Sequence, residues 1–371
     1  MKSILLPGMA LVALCYAFAR FAFGLFLPEI SEELGIGSAA AGLMQALSYA
    51  AYASGLLSAS FALRIAGTKR TLLLTALLAV AGLTGIALSP GPYWLAAGLF
   101  VAGVSTGWVS PALGHLVGES VEEARRDGLN ARLNSGTSLG IAVSGPAALL
   151  LAGHWRGAYG LFALIGLLVI AALAKRVPYG SGRAPARTEL VQEARRSGLL
   201  LPASLLTGAG SAVYWTYFMS HLQSEQGVSA QTSSLYWIAI GVAGLAGGLG
   251  GQAVRRFGLR RAYAAGVLLL SLSIAAVPLA SPWINLLSAA SFGAAYMFLT
   301  GLFILWGTGA SKAAAAQISL SFLALGVGQA AGSWTAGGLI EAVGYDQTFL
   351  IFAAVSLAGL AIKPPVRNIS Q

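Results

Sequence analysis

The stretch RIAGTKR, residues 64–70, recurs as RRFGLRR at residues 255–261. Each copy has an arginine, a glycine three positions later and a basic pair after that glycine, and each lies between two long apolar segments. The copies are 191 residues apart, about half of the 371-residue chain. The spacing therefore predicts an internal duplication into two halves with the same orientation.

Long apolar segments fill the chain on either side of these two motifs. Apolar residues make up 57% of the sequence and charged residues only 9%, whereas soluble domains carry about 25% charged residues. Helices of about 20 apolar residues satisfy their own backbone across a bilayer. We therefore predict an all-α polytopic membrane protein with twelve transmembrane helices in two pseudo-symmetric six-helix bundles. The predicted spans are 4–27, 39–63, 71–89, 93–117, 134–153, 157–174, 199–222, 231–254, 263–281, 283–307, 316–340 and 348–362.

The predicted domains follow from the duplication. Residues 1–174 form the first bundle and residues 199–371 the second. Residues 175–198 are the only long polar segment, with two prolines, three glycines and six basic residues, and we interpret them as a cytoplasmic linker.

The charges are divided between the two sides of the predicted membrane protein. Of 22 basic residues, all but Arg20 and Arg156 lie at the N-terminus, in the even-numbered connections or at the C-terminus. That side has a net charge of +14 and the other side −5, so we name them the basic side and the acidic side. Basic loops stay in the cytoplasm, which predicts cytoplasmic termini and a bacterial inner-membrane location. The basic excess meets anionic lipid headgroups, and nucleic-acid binding has no support because no soluble domain carries it.

Motifs for catalysis or cofactor binding are missing from the sequence. Cys15 is the only cysteine, and the three histidines are too widely spaced for a local metal site. No phosphate-binding loop, nucleophile elbow or His-Glu-x-x-His occurs. We therefore expect neither an enzyme nor a bound metal or cofactor.

The motif between spans 2 and 3 resembles the signature loop of the major facilitator superfamily, Gly-x-x-x-Asp-Arg-x-Gly-x-Lys/Arg-Lys/Arg. Arg64 and Arg255 occupy the position of the family's Asp, which puts the usual role of that Asp in doubt here. The resemblance implies a gating loop in each half. Its candidate residues are Arg64, Gly67, Lys69, Arg70, Arg255, Arg256, Gly258, Arg260 and Arg261.

Three shorter motifs extend the resemblance. Gly145-Pro146 is similar to the family's span-5 antiporter motif, and Trp155-Arg156 to its junction before span 6. Arg20-Phe21-Ala22-Phe23 with Leu27-Pro28 resembles the bacterial YbfB/YjiJ-like branch. The family implies a secondary transporter, monomeric, for a small-molecule substrate, with rocking halves and efflux or antiport favoured. The alternatives are organic-anion uptake or exchange anchored by Arg20, and a transport-inactive receptor or scaffold.

Arg20 is the only charged residue well inside a predicted span. An arginine at mid-membrane costs at least about 2.5–3.5 kcal/mol, so a compensating interaction is required. Three interpretations remain open. The side chain faces a central cavity and binds an anion, extends to the outer headgroups, or pairs within the protein, for example with Glu29.

The resemblance implies that spans 1, 4, 7 and 10 line the substrate cavity. Span 2 adds three residues that share one helical face, Gln45, Tyr49 and Tyr52. Aromatic rings with a few polar groups suit an amphipathic organic substrate, although each ring is equally a candidate for packing or for the membrane interface. With Arg20, the candidates on the other spans are Tyr16, Trp108, Tyr214, Trp215, Tyr217, Tyr296, Thr300 and Trp306. Trp94, Trp155 and Trp283, at span ends, are predicted for the interface belt.

No Asp or Glu lies inside a predicted span, so a buried proton-carrying carboxylate is not visible in the sequence. The remaining candidates for proton coupling are His115, His221 and Glu29, all near span ends. A hydrogen-bonded side chain at the membrane interface is the alternative interpretation for each histidine.

Overall fold

The structure, a computed structural model, describes residues 2–178, 194, 197–310 and 314–365. These residues are almost entirely helical and contain no β-strand. In the first half, span 1 comprises Lys2–Val12, Ala13–Phe21 and Ala22–Leu34, spans 2 and 3 form Ser38–Ala87, and spans 4 to 6 are Pro92–Ser120, Glu123–Leu150 and Trp155–Arg176.

The second half repeats this order of helices. Span 7 is Leu200–Ser224, span 8 comprises Ala230–Gly244, Leu245–Leu249 and Gly250–Phe257, and span 9 comprises Leu259–Ala275 and Val277–Leu279. Spans 10 to 12 are Pro282–Ala310, Ala314–Val343 and Tyr345–Ala358, the last followed by Gly359–Ala361. Within the described ranges, seven helices are both long and apolar enough to cross a membrane by themselves, and the 50-residue helix of spans 2 and 3 is one of them. The predicted all-α fold is confirmed.

The two glycines of the repeated motif adopt the same backbone conformation. Gly67 has φ 74° and ψ 167°, and Gly258 has φ 80° and ψ 157°. A residue with a Cβ is strained at such positive φ values, so each copy of the motif needs glycine at the turn between two helices. The duplication in the sequence thus corresponds to a duplicated turn in the structure.

Contacts between helix ends show that span 6 runs opposite to spans 1 and 3. At the acidic side, Glu33 accepts a hydrogen bond from Trp155 Nε1 (2.6 Å) and pairs with Arg156, whose Nη2 donates to the Ser89 carbonyl (2.7 Å). At the basic side, Lys69 Nζ donates to the Ala174 carbonyl (2.7 Å). The ends of spans 1 and 3 thus meet the start of span 6 at the acidic side, and the start of span 3 meets the end of span 6 at the basic side.

Trp155 corrects one prediction for the interface belt. Trp94 and Trp283 are 67% and 80% exposed, as belt residues should be, but Trp155 is only 1% exposed. Its ring packs against Tyr159 of the same span, and its Nε1 donates a hydrogen bond to Glu33 of span 1. Trp155 therefore connects spans 1 and 6.

Glycines allow the two halves to approach closely near the acidic side. A Cβ on Gly24 of span 1 would overlap the Trp215 carbonyl of span 7, and one on Gly337 of span 11 would overlap the Ser38 carbonyl of span 2. Between spans 5 and 8, a Cβ on Gly241 would overlap the backbone of Ala142 in the same way. Small residues permit such backbone contact between helices in membranes. We call this set of contacts the acidic-side seam.

The predicted linker 175–198 lies largely outside the described residues. Lys175 and Arg176 form the last turn of span 6, and Ser197 Oγ donates to Gln317 Oε1 of span 11 (2.7 Å). The division into domains at this linker stays a prediction.

Candidate functional site

Arg20 lies at the contact between the two halves. Its side chain is only 1% exposed, and its Nη2 donates a hydrogen bond to Oε1 of Gln329 on span 11. Nε2 of Gln329 in turn donates to the hydroxyl of Tyr296 on span 10 (3.1 Å). A chain of three side chains therefore connects span 1 of the first half to spans 10 and 11 of the second.

Aromatic rings surround the Arg20 guanidinium. Its central carbon lies 4.0 Å from the ring centre of Tyr52, 4.9 Å from that of Tyr49 and 5.6 Å from that of Tyr16. A cation near the face of an aromatic ring is stabilised by the ring quadrupole, and more strongly where water is excluded. Among the described residues no Asp or Glu forms an ion pair with Arg20, so its charge is met by π faces and a neutral amide.

The backbone around Arg20 is a π-helix over Ala13–Phe21. The wider i→i+5 turn places one extra residue in the helix, a feature that often marks functional sites. Nε2 of Gln45 on span 2 approaches the Arg20 carbonyl at 3.4 Å, at the end of this segment. The π-helix therefore sets the direction in which the Arg20 side chain points away from the axis of span 1.

A cavity of about 140 Å³ lies between the halves beside Arg20. Spans 1, 5, 8, 10 and 11 contribute to its walls. The walls on spans 5 and 8, residues 131–138 and 244–248, lie on the basic side of the acidic-side seam. The cavity therefore extends from Arg20 towards the basic side.

Towards the acidic side, stacked aromatic rings close the cavity. Phe21 of span 1 stacks on Trp215 of span 7, with ring centres 4.0 Å apart. Trp215 also meets Trp237 and Tyr296 edge to face, at 5.8 Å and 5.2 Å. These rings fill the space between the cavity and the acidic-side seam.

Many of the predicted substrate-site residues lie together. Four of them, Tyr16, Arg20, Tyr296 and Thr300, line the cavity. Gln45, Tyr49 and Tyr52 surround the guanidinium or its backbone, and Trp215 belongs to the closing stack. Their role in binding stays a prediction.

Four other predicted residues lie elsewhere. Tyr217 donates to the Ser38 carbonyl (2.7 Å) in the acidic-side seam, and Trp108 Nε1 donates to Ser58 Oγ (2.9 Å) between spans 4 and 2. The remaining two pack within the second half. Tyr214 stacks between Phe218 and Phe292, and Trp306 meets Tyr263 edge to face.

Extension of Arg20 to the headgroups and its pairing with Glu29 do not match this geometry, whereas pairing within the protein does, through Gln329. A side chain that is 1% exposed and bonded to Gln329 does not extend to the headgroups. Glu29 is not its partner either, because Glu29 Oε1 accepts a hydrogen bond from the Gly153 amide (3.2 Å). The interior position of Arg20 at a cavity is what the structure shows.

The candidates for proton coupling lie away from the cavity. At the basic side, Thr68 bonds to His115 Nδ1 (3.1 Å) and to Glu119 (2.7 Å). At the acidic side, His221 Nε2 lies 3.4 Å from Asp346. Glu29 is at the same side, next to Gly153.

The gating-loop residues project from the basic side. Beyond the turn glycines Gly67 and Gly258, the basic side chains of the two motifs are largely exposed. Gly145 of the span-5 motif lies in the seam, because a Cβ there would overlap Ile238 of span 8. The Gly-Pro motif is thus part of the contact between halves.

Sequence reasoning missed Gln329 and the polar wall of span 5. Asn134, Ser135, Thr137 and Ser138 line the cavity, and Gln329 is the direct partner of Arg20. An amide inside an apolar segment is a signal that the sequence does contain, since polar side chains in a membrane need partners. It points to a site but not to Arg20, which is 309 residues away.

The sequence of the chain is similar to those of known proteins. A family model described as Major Facilitator Superfamily matches residues 9–319. A protein of Bacillus subtilis (strain 168) described as "Uncharacterized MFS-type transporter YbcL" is 23% identical over 313 residues, which cover 82% of this chain and 78% of that protein.

Solved structures share the fold. The D-xylose–proton symporter superposes with a TM-score of 0.81 at 17% identity, covering 100% of this chain and 98% of its own. A bacterial homologue of the human lysosomal transporter Spinster, in an inward-facing and unoccupied conformation, has a TM-score of 0.77 at 15% identity (98% and 95% covered). A mutant of the nucleoside transporter NupG has a TM-score of 0.76 at 12% identity (96% and 98% covered).

Proposed function

Because the chain belongs to the major facilitator superfamily, a family of secondary transporters and not of enzymes, we propose that it carries a small amphipathic organic solute through the cavity beside Arg20. Halves 1–174 and 199–371 would rock about this cavity, joined by the linker 175–198. The observation that carries the proposal is a cavity between the halves that is closed towards the acidic side by Phe21 and Trp215.

The basic side is, in this proposal, the cytoplasmic side, as the distribution of basic residues favours. The cavity of the described conformation then extends towards the cytoplasm. Efflux or antiport is the direction we propose, supported by Gly145-Pro146, which lies between spans 5 and 8 where the halves must separate. A monomer contains the complete cavity, which supports a monomeric transporter.

His221 is the group we propose to test first for proton coupling. Its side chain is buried, Asp346 lies 3.4 Å from Nε2, and no described residue forms a hydrogen bond with Nδ1. His115 and Glu29 are the other two candidates; they bond to Thr68 and to the Gly153 amide, as His221 Nε2 does to Gln226 (3.1 Å).

The function is tested in two steps with purified protein. A panel of organic anions, cations and neutral amphiphiles is screened for compounds that raise the melting temperature, because ligands that bind the folded state stabilise it. A stabilising compound is then loaded into proteoliposomes, and uptake of the labelled compound by exchange is measured. We expect exchange that depends on the protein. Stabilisation without any solute movement would contradict transport and favour a receptor or scaffold.

Direction is tested separately in membrane vesicles of both orientations. Accumulation in everted vesicles under a proton gradient is expected for efflux by antiport. Accumulation only in right-side-out vesicles would show uptake and overturn the proposed direction. A protein with His221→Gln that still exchanges solute but no longer accumulates it would support coupling through this histidine.

A further inference from the structure

We infer that the substrate is an organic anion whose acidic group displaces Gln329 from the Arg20 guanidinium. The inference rests on the proposed transport function and specifies the chemistry of its cavity. It follows from three features of the site: an interior cation, a neutral partner in the place of a counter-charge, and a cavity that reaches the cation.

The interior charge of Arg20 has no carboxylate to balance it. No described Asp or Glu forms an ion pair with it, and Gln329 supplies only a neutral amide oxygen. Hydrogen bonds between an arginine and a carboxylate or phosphate are roughly twice as strong as neutral ones. An anion that enters the cavity therefore competes successfully with the amide for the guanidinium.

Arg20 retains unused hydrogen-bonding capacity. The guanidinium has five N–H donors in a planar fork, which suits the two oxygens of an acidic group. Nη2 donates to Gln329, whereas Nε has no acceptor among the described residues although it is buried. Arg20 is part of the cavity wall, so a ligand in the cavity lies beside the guanidinium and can bind Nε once the side chain turns this atom towards the cavity.

The rest of the cavity wall defines the body of the substrate. Tyr16, Phe21, Tyr296 and Met297 supply apolar and aromatic surface around Arg20. The polar side chains of span 5 line another part of the wall, and the apolar and aromatic surface next to Arg20 binds a compact apolar body. The site thus suits a small acid with a hydrocarbon or single-ring body.

Gln329 has a second role, because it connects the halves. Its Oε1 accepts from Arg20 of span 1, while its Nε2 donates to Tyr296 of span 10. When an anion takes its place at Arg20, the side-chain bond between spans 1 and 11 is lost and Gln329 keeps Tyr296 as a partner. Substrate binding then removes a contact that holds the halves together, which makes Gln329 a positioning residue for the conformational change.

The test uses small compounds whose polar group is anionic, neutral or cationic. Benzoate, benzamide and benzylammonium share a ring, and the series is extended with acetate, hexanoate and phenylphosphonate. Binding is measured by thermal stabilisation of the purified full-length protein and of four variants. Arg20→Gln removes the cation, and its matched control Arg125→Gln removes one exposed positive charge from the basic side. Gln329→Leu removes the competing amide, and its matched control Gln347→Leu alters an exposed amide.

We expect one or more of the anions, and neither benzamide nor benzylammonium, to stabilise the wild-type protein. The apparent affinity for that anion should fall at least tenfold in Arg20→Gln and rise about threefold in Gln329→Leu, with both controls unchanged. The ratio of the anion exchange rate to the anion affinity should also differ between the Gln329→Leu variant and the wild-type protein. A purely structural role of Gln329 would leave this ratio unchanged.

Three results would overturn the inference. They are stabilisation by benzamide equal to that by benzoate, unchanged anion affinity in a folded Arg20→Gln protein, and a lack of stabilisation by every anion of the series. Exchange of a neutral or cationic solute in proteoliposomes would support the transport function and contradict only the inference that the substrate is an anion. Anion binding with no exchange would reject transport and retain the site.

Discussion

The acidic and basic sides of the molecule differ in how the two halves meet. At the acidic side, a Cβ on Gly24, Gly337 or Gly241 would overlap backbone atoms of the opposite half. At the basic side, Gly248 of span 8 has no other atom within 4 Å of such a Cβ, and this part of span 8 lines the cavity instead. The halves thus touch through their backbones on one side and are separated by a cavity on the other.

The comparison shows that shape, more than charge, closes the acidic side. Among the described residues it has few polar contacts between the halves: Tyr217 donates to the Ser38 carbonyl, Trp237 Nε1 donates to Ser144 Oγ, and Glu341 accepts from the Ala39 amide (2.8 Å). Backbone contacts between glycine-bearing helices gain dispersion energy over a long surface and lose it together when the helices separate. Opening to the acidic side therefore requires the whole seam to part at once.

Gly337→Val should have the largest effect on this difference. The added side chain would meet the Ser38 carbonyl and the Tyr217 hydroxyl, so the seam cannot close. We expect at least a tenfold loss of solute exchange. A Cys15→Ala, Ser333→Cys protein should also react faster with a maleimide when Gly337→Val is added, because Ser333 is buried at the seam.

The neighbouring glycine supplies the control for this experiment. A Cβ on Gly338 has no atom within 4 Å, so Gly338→Val should leave both exchange and labelling unchanged. Equal behaviour of the two variants would show that the seam does not depend on close approach at Gly337.

Substitution of the two turn glycines at the basic side should have the second-largest effect. Gly67→Ala and Gly258→Ala each place a Cβ at a positive φ with ψ near 160°, which costs roughly 1–3 kcal/mol. We expect similar decreases in melting temperature for the two variants, because the two turns have the same geometry. A large decrease in melting temperature for only one of the two variants would show that the two turns are not equivalent. Gly248→Ala is the control, because a Cβ at Gly248 has no atom within 4 Å.

The hydrogen bond between spans 8 and 5 should contribute less. Ser144→Ala removes the acceptor of the bond from Trp237 Nε1 (2.9 Å) and should lower the free energy of unfolding by about 1 kcal/mol. Trp237→Phe should cost more, because it also removes buried ring volume, and the double variant should cost no more than Trp237→Phe alone. Additive losses would mean that the two side chains act independently.

Glu341→Gln should have the smallest effect. Its carboxylate lies at the N-terminus of span 2, where a negative charge is worth about 0.3–1 kcal/mol, and glutamine keeps an oxygen acceptor for Ala39. A slight increase in the labelling of Ser333→Cys is expected, with exchange reduced less than twofold. A loss as large as that of Gly337→Val would show that charge, not shape, closes the acidic side.

Much of the fold was predictable because it depends on patterns that a single chain records. Apolar runs, the repeated motif and the division of charge predicted the twelve spans, the duplication and the two sides. Arg20 was identified because a charge inside an apolar run is costly wherever the run lies in space.

The details of the site were less predictable. Apolar spans in a bundle have no polar face that reveals their rotation, so Tyr214 and Trp306 looked like cavity residues although they pack inside their own half. The partner of Arg20 lies on span 11, and no local pattern relates the two positions. The sequence around Arg20 also gives no sign of a π-helix, which depends on how the neighbouring spans pack.

The π-helix over Ala13–Phe21 makes the geometry of span 1 depend on the presence of a single residue. A π-turn takes up one extra residue, so removing one residue from this segment would restore α-helical bonding and leave the two ends of the span close to their present orientation. The same deletion in an α-helical part of span 1 would instead rotate one end relative to the other by about 100°. A homologous chain one residue shorter within Ala13–Phe21 would therefore keep the ends of span 1 in place and lose only the turn that presents Arg20.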